Sequence, residues 1–546
     1  MARPKKKTSP KPGKRKTEGR RSAKLPKEAG DAAPQSQPSG RAARGGHNVK
    51  VRVRMYRQGL GDCFLVTFDP GGTEKHLLID CGTLGSTTTG VKLADVVADI
   101  RSTTNDHIHL LIATHEHWDH VRAFLELESE FKKITFDHIW MAWTENPKDP
   151  LAQQVAKNKK DLGTAITAAS QALTAPSATA ESQGIGLAVR DLLGFFGNDT
   201  ALAAAKFSEK LNDAMNTVRL GLTVQAEFHN PGDGPIEPDW IPGFRFYVLG
   251  PPRDLGALKD TGEHGSSELY GIARALSAAA QFRISGKDLS EYLADSSLSD
   301  ESAAFESQVP FDSRFRYSLS DRKTRDTFYA SYASTSEAWR RVDDDWLHGA
   351  SDMALQLDSA TNNTSLALAI ERVSDGKVLL FPADAQEGNW LSWHDPKMEW
   401  TVTDTTGKQV ALTATDLLNR TVFYKVGHHS SHNATAKAKG LELMQQEQEL
   451  VAFIPVDRAV ALKRNPPGSW KMPVATLYRR LLEKCQGRVV RSDIGWADDA
   501  KNAQNKPVEK EFTGMATSAE WTKWKQSQTA ATNVTISANH VDYELG

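Results

Sequence analysis

Cysteine is nearly absent: the 546 residues include only Cys63, Cys81 and Cys485, and no C-x-x-C pair. An odd and sparse set of thiols excludes a disulfide framework and offers no paired ligands for a zinc ribbon. The sequence also lacks an apolar run of about 18 residues and the apolar core of a signal peptide. We therefore expect a cytoplasmic protein with no membrane span.

Net charge is also nearly absent, at −1, but it is distributed unevenly. Residues 1–44 contain 14 basic and three acidic residues, a net charge of +11, whereas the remainder has a net charge of −12. Residues 1–47 are rich in Pro, Gly, Ser and Ala, cannot bury enough apolar surface to fold, and are predicted to be a disordered basic tail. This tail could bind nucleic acid, or it could be a solubilising or autoinhibitory segment on the acidic body.

The most informative stretch is an apolar segment, Leu110–Ala113, followed after Thr114 by the motif H-x-H-x-D-H at residues 115–120. The segment is typical of a buried strand, and alternate residues of an extended chain point the same way, so His115 and His117 can face one point. Asp119 and His120 follow in the next turn. Imidazole and carboxylate ligands suit zinc, with manganese or iron as poorer alternatives. A metal site is therefore predicted in preference to surface histidines beside a helix cap.

This motif resembles that of the metallo-β-lactamase superfamily of hydrolases, and further segments resemble the branch found in ComEC-type DNA-uptake proteins. The opening hairpin of that branch is matched by Gln58–Val66 and Leu77–Gly82. Its second half is matched by Asn362–Leu366, Leu379–Asp384 and Lys425–Ser431. The segments occur in the order that the branch has.

The resemblance implies an α/β fold, a four-layer αββα sandwich, and the alternation of predicted strands and helices agrees with it. Residues 48–546 are predicted to form this hydrolase domain, with largely helical insertions at about 147–225 and 254–355. Long ordered insertions often form a lid or a partner surface, but the sequence identifies no protein partner. Predicted elements include the strands Lys50–Tyr56, Lys377–Phe381 and Asn533–Leu545 and the helix Val121–Glu130.

One ligand of many superfamily members has no counterpart here. The predicted strand Phe244–Leu249 ends in Gly250, Pro251 and Pro252, without the usual third-motif histidine. The ComEC-type branch also ends this strand in a proline pair, so the absence agrees with the resemblance but leaves one metal short of ligands. His229 is the nearest substitute.

The resemblance implies a centre of two divalent metal ions, zinc or manganese. The implied ligands are His115 and His117 for the first ion, Asp119, His120 and His428 for the second, and Asp384 as a bridge. Asp80 is expected to orient the centre by hydrogen bonding without binding a metal. His429 is adjacent to His428, and we predict His428 as the ligand. A helix-capping role for Asp384 and a packing role for either histidine are the alternatives.

A turn beside the implied ligands supplies candidate substrate contacts. The N–H groups and hydroxyls of Ser430 and Ser431 could hold a phosphate oxygen. His429 or His432 could protonate a leaving group, and Asp119 is counted with them as catalytic. The branch usually has Gly in place of Ser430 and a basic residue in place of His432, so these contacts depart from the family pattern.

The predicted function is a metal-dependent hydrolase, most specifically a phosphodiesterase or nuclease that attacks nucleic acid or a nucleotide with a metal-bridging hydroxide. Hydrolysis of a carboxylic ester, lactone or thioester is the alternative, because the fold does not decide the substrate. A non-catalytic scaffold that binds nucleic acid or protein is a third class. A degenerate scaffold would be expected to have lost ligands, and all six candidates are present.

Overall fold

Two large sheets organise the chain in a computed structural model, which describes residues 49–174, 180–197, 207–259, 350–404, 406–464, 470–496 and 533–546. The predicted basic tail and nearly all of the second predicted insertion lie outside these residues. The strands of the described part are β1 (Lys50–Tyr56), β2 (Phe64–Asp69), β3 (Lys75–Ile79), β4 (His107–Ala113), β5 (Thr135–Ala142), β6 (Glu227–His229), β7 (Phe244–Gly250), β8 (Ala367–Arg372), β9 (Lys377–Phe381), β10 (Glu399–Thr403), β11 (Gln409–Thr413), β12 (Thr421–Lys425), β13 (Val451–Ile454), β14 (Val489–Arg491), β15 (Gly495–Trp496), β16 (Val534–Ile536) and β17 (His540–Leu545).

Helices connect the strands and fill the first insertion. The α-helices of the described part are α1 (Leu93–Thr104), α2 (Trp118–Glu126), α3 (Glu128–Phe131), α4 (Pro150–Leu173), α5 (Ala180–Leu193), α6 (Glu209–Asn216), α7 (Leu255–Lys259), α8 (Ala350–Asn362), α9 (Glu387–Ser392), α10 (Ala414–Asn419), α11 (Arg458–Ala461) and α12 (Ala475–Lys484). The first predicted insertion is thus helical where it is described, with Asp149 capping α4 by accepting hydrogen bonds from two N–H groups of its first turn.

The first sheet has the strand order β16-β17-β1-β2-β3-β4-β5-β6, and the second has the order β15-β14-β13-β12-β9-β8-β7. Strands β3, β4 and β5 are parallel, and so are β9, β12, β13 and β14. Each sheet therefore has an edge at which the carboxyl ends of several parallel strands meet, the usual position of ligand sites in such sheets.

The two sheets face each other across an apolar core. Side chains of both sheets form one buried cluster, in which the rings of Phe64 on β2 and Phe381 on β9 lie 6.0 Å apart. Neighbouring residues point to the opposite face: Leu77 belongs to this cluster, whereas Leu78 packs with helical residues in a second one. The layers are therefore helix, sheet, sheet and helix, which confirms the predicted αββα sandwich.

Two predicted elements have different bounds in the structure. The helix predicted over Val121–Glu130 begins at Trp118 and ends at Glu126, because Leu127 leaves the helical conformation at φ −120° and ψ 30°. The strand predicted over Asn533–Leu545 is a hairpin of β16 and β17, whose short connecting turn reverses the chain.

Candidate metal centre

The predicted ligands follow the carboxyl ends of three parallel strands. These positions are His115, His117, Asp119 and His120 after β4, Asp384 after β9, and His428 and His429 after β12. Strand β4 belongs to the first sheet, and strands β9 and β12 belong to the second. The packing of the two sheets thereby brings distant parts of the chain to one place.

Two glycines allow the loops after β1 and β3 to lie against the motif. A Cβ atom on Gly61 would lie 2.6 Å from the carbonyl oxygen of Asp119, and one on Gly82 would lie 2.3 Å from its carbonyl carbon. The N–H group of Asp62 donates a hydrogen bond to the same carbonyl oxygen over 3.0 Å. The glycines therefore position the backbone of Asp119.

One group of side chains combines the motif with the second sheet. Nε2 of His115 lies 3.1 Å from Nδ1 of His117, and Nε2 of His120 lies 3.1 Å from Oδ2 of Asp384. Single ligand atoms of His115, His120 and Asp384 all lie within 4.8 Å of one another. All four side chains belong to residues that are at most 1% exposed.

A second group shares Asp384 with the first. Single ligand atoms of Asp119, Asp384 and His429 lie within 4.8 Å of one another, and Nε2 of His429 lies 2.8 Å from Oδ2 of Asp119. A carboxylate common to two groups occupies the position that a bridging ligand requires. Asp384 is therefore the carboxylate that connects the two groups of candidate ligands.

His428, the predicted ligand, belongs to neither group, and its ring nitrogens contact other residues. Its Nδ1 lies 2.9 Å from Oγ of Ser431, and its Nε2 lies 3.4 Å from Nδ2 of Asn362. Its backbone N–H instead donates to Oδ1 of Asp384 over 2.8 Å. The physical reason is a turn of three consecutive left-handed residues beginning at His428, which directs successive side chains differently. Among the described residues, His429 rather than His428 therefore belongs to the second group of candidate ligands.

In two of the histidines, the ring nitrogen that points away from the centre contacts an oxygen atom outside it. Nδ1 of His120 lies 2.8 Å from Oδ2 of Asp80, and Nδ1 of His429 lies 2.5 Å from the carbonyl oxygen of Pro455. Such partners fix the tautomer and the ring orientation of a metal-binding histidine. Asp80 thus lies where an orienting residue is expected.

Two charged residues of the centre are absent from the predicted set. Nζ of Lys425 lies 2.5 Å from Oδ2 of Asp62 and 2.9 Å from Oδ1 of Asp384, and all three side chains are at most 2% exposed. The ammonium group offsets part of the negative charge and occupies Oδ1 of Asp384, so that Oδ2 faces His120. A lysine at the end of an otherwise apolar strand, Thr421–Lys425, was the available signal.

Charge and burial shift the pKa values in opposite directions. Burial lowers the pKa of His120, but Asp384 and neighbouring carboxylates outweigh it and raise the pKa well above its ordinary value. Burial raises the pKa of Asp384, but Lys425 and His120 outweigh it and hold the pKa well below the usual range. Burial dominates for His117 and lowers its pKa to about 3. The metal-free protein therefore carries a proton on His120, while His117 is a neutral imidazole that can bind a metal.

The donor set fits divalent metal ions. Among the described residues, Oδ1 of Asp119 and Oδ1 of Asp62 are buried without a hydrogen-bond partner. Buried lone pairs of this kind are costly unless another group satisfies them. Imidazole nitrogens and carboxylate oxygens together suit zinc or manganese.

The predicted substrate turn lies beside the centre. Ser430 is buried, and its Oγ has no hydrogen-bond partner within the described part of the chain. Ser431 contacts His428, and His432 is exposed. These three residues therefore differ widely in their access to a substrate.

His229, the suggested substitute for the third-motif histidine, does not join either group. It lies on β6, with its ring centroid 4.3 Å from that of Trp140 and its Nδ1 3.6 Å from Oδ2 of Asp233. The structure therefore offers no support for His229 as a ligand.

The first insertion contributes an aromatic wall to the centre. The ring centroids of Phe195 and Phe196 lie 5.5 Å and 5.0 Å from that of His117. Phe195 also stacks on Trp470, with centroids 5.1 Å apart and planes inclined by 15°. This apolar lining lowers the local dielectric, which strengthens electrostatic interactions inside.

Comparison with known proteins gives one family match. The family model described as the metallo-beta-lactamase superfamily matches residues 56–171, which include the H-x-H-x-D-H motif. No curated protein matches the chain. None of the helices in the described residues is long and apolar enough to cross a membrane. Residues 56–171 therefore carry the similarity to the metallo-beta-lactamase superfamily.

Proposed function

We propose that this protein is a metal-dependent phosphodiesterase acting on nucleic acid or a nucleotide. The observation that carries the proposal is the convergence of two His/Asp groups on the shared carboxylate of Asp384. The metallo-beta-lactamase superfamily consists largely of hydrolases, in agreement with this donor set. The relation to the ComEC-type branch is part of the proposal and rests on sequence resemblance.

We assign His115 and His117 to the first ion and Asp384 to the bridge. The second ion is assigned to Asp119, His120 and His429, because Nε2 of His120 lies 3.8 Å from Oδ2 of Asp119 as well as 3.1 Å from the shared Asp384. Divalent ions bound there would lower the pKa of a water and stabilise negative charge that develops on a phosphoryl oxygen. Zinc is the preferred ion and manganese the alternative.

The chain's own residues prepare this centre. Asp80 keeps the proton of neutral His120 on Nδ1, which leaves Nε2 as the donor atom. Lys425 and the N–H group of His428 occupy Oδ1 of Asp384, so only Oδ2 is directed inward. Because His429 contacts Asp119, proton donation to the leaving group is assigned to the exposed His432.

The substrate assignment rests on charge. Two cations next to the Ser430–Ser431 turn favour an anionic substrate, and the +11 charge of residues 1–44 favours a polyanion. The apolar wall of Phe195 and Phe196 favours the second candidate, hydrolysis of a carboxylic ester, lactone or thioester. We assign catalysis to residues 48–546 and polyanion binding to the tail.

A substrate screen tests the proposal. The purified protein, supplied with zinc or manganese, is assayed against single-stranded DNA, duplex DNA, RNA, cyclic dinucleotides and simple esters. His115→Ala and Asp119→Ala should abolish phosphodiester cleavage, whereas the control His138→Ala, at a half-exposed position on β5, should not. Activity that survives in both ligand variants would come from a contaminant. Cleavage of carboxylic esters alone would support the second candidate.

A further inference from the structure

A buried pair of polar side chains, His117 and Asp358, lies beside the candidate centre. Nδ1 of His117 faces Nε2 of His115 at 3.1 Å, so Nε2 of His117 points away from the group. Oδ1 of Asp358 lies 3.8 Å from that Nε2, and the two side chains are 6% and 1% exposed, respectively. Neither atom has a hydrogen-bond partner among the described residues.

The helix that carries Asp358 holds it in this orientation. Asp358 lies on α8, and its Oδ2 accepts a hydrogen bond from Nδ2 of Asn362, four residues later, over 3.2 Å. This bond leaves Oδ1 as the atom that faces His117. A buried carboxylate is costly unless a donor or a cation satisfies it, so the position calls for a donor at Oδ1.

The rings of His115 and His120 show how a partner outside the centre orients a histidine. Nδ1 of His115 lies 3.1 Å from Oγ1 of Thr114, and Nδ1 of His120 lies 2.8 Å from Oδ2 of Asp80. Each of these rings has Nε2 toward the centre and Nδ1 on an outside partner. His117 has the reverse arrangement, with Nδ1 inward, so its outside partner must be at Nε2.

We propose that Asp358 is the positioning residue of His117: its Oδ1, 3.8 Å from Nε2, is the acceptor that Nε2–H faces, which leaves Nδ1 unprotonated toward the first metal ion. The inference rests on the metal centre proposed above and adds a residue from α8 to it. Strand β7 ends without a histidine, so the first ion depends on few imidazoles. Fixing the tautomer of His117 therefore matters more here than in a centre with three histidines.

Zinc binding to the full-length protein tests this role. The variant Asp358→Asn keeps the shape but replaces the carboxyl group by an amide, and Asp352→Asn makes the same change at an exposed aspartate of the same helix as a matched control. Competition with a chromophoric chelator should show a loss of about 10–100-fold in affinity for one of two zinc ions in Asp358→Asn, and no change in the control. The visible spectrum of the cobalt-substituted protein should also change in Asp358→Asn alone.

Thermal melting of the metal-free forms separates this role from a purely structural one. Asp358→Asn should melt at or above the wild-type temperature, because it removes a buried carboxylate. Unchanged affinity for both zinc ions in Asp358→Asn would overturn the positioning role and leave the metal centre standing. A wild type that binds no zinc would overturn the metal centre as well.

Discussion

His428 and His429 are adjacent in the chain, but their rings have different surroundings. His429 contacts Asp119 through Nε2, whereas His428 contacts Ser431 and Asn362. Both residues are buried, His428 at 6% exposure and His429 at 0%, so burial does not distinguish them. At the scale of single residues, the backbone conformation of one turn selects the ligand.

Alanine substitutions at these two positions should have different effects on metal content. His429→Ala should lose one of two zinc ions, because it removes a ligand atom. His428→Ala should keep both, since its contact with Asp384 is made by the backbone N–H, which alanine retains. Elemental analysis of the dialysed proteins measures the zinc content. Loss of an ion in His428→Ala alone would return that residue to the ligand set.

Metal binding should depend on pH through His120. Because its pKa is raised well above the usual value of about 6.5, its ring keeps a proton at neutral pH that the ion must displace. Zinc affinity should therefore rise by about tenfold per pH unit for each proton displaced, until pH passes the raised pKa. In the metal-free protein, the same proton stabilises the fold below pH of about 6.5, and this contribution is lost as pH rises through the raised pKa.

Calorimetry measures this proton directly. Titrations with zinc in two buffers of different ionisation enthalpy should give different apparent heats, because the released proton is taken up by the buffer. Equal heats in both buffers would show that His120 is already neutral, contrary to the charge balance of the centre.

At the scale of elements, the loops after β1 and β3 support the ligand turn. Gly82 lies so close to the backbone of Asp119 that no Cβ atom fits between them. In the proposed assignment these loops bind no metal. Asp62, in the first of them, contributes a negative charge that pairs with Lys425. Their contribution is to set the position of α2, which carries two of the ligands.

A glycine pair in neighbouring elements tests this support. Gly82→Ala should shift Asp119 and lower both zinc affinity and the melting temperature, because its Cβ atom would lie 2.3 Å from backbone. Gly72→Ala is the control, since nothing lies within 4 Å of a Cβ atom in the turn between β2 and β3. Zinc titration and thermal melting measure both effects. Equal behaviour of the two variants would show that the loop adapts without moving the ligand.

At the scale of the whole molecule, two opposite charge effects act on a polyanion. The body has a net charge of −12, which opposes binding, whereas residues 1–44 have a net charge of +11. Scattered acids beyond a Debye length of about 8 Å are largely screened at physiological salt. Two divalent ions would place about four positive charges at the reacting phosphate. The local charge should therefore prevail over the body's net charge.

Removal of residues 1–44 tests the role of the tail. The shortened protein should melt at the same temperature, because the composition of this segment gives it no core. Its binding to single-stranded DNA should show a shallower dependence on salt, since fewer counterions are released. Binding measured at several salt concentrations gives the slope. An unchanged slope would leave the tail a solubilising segment.

The sequence by itself determined the main strands and predicted the types of side chain in the candidate metal centre. Strands Lys50–Tyr56 and Lys377–Phe381 were predicted at their observed bounds, because alternating or continuous apolar residues are a local signal. The H-x-H-x-D-H spacing is equally local, and it brings His115 and His120 into one group. The end of α2 and the hairpin of β16 and β17 were not predicted. In both places a single turn breaks the element, although the sequence pattern continues through the turn.

Only the tertiary structure decided which side chains meet. Asp62, in the loop between β1 and β2, forms an ion pair with Lys425 on β12 of the other sheet, and Asp358 lies near His117 on a helix far along the chain. The choice of His429 likewise depends on left-handed backbone geometry. The physical reason is that a sequence pattern contains information only about residues that are close together in the chain. The packing of the two sheets face to face brings together residues that no local pattern connects.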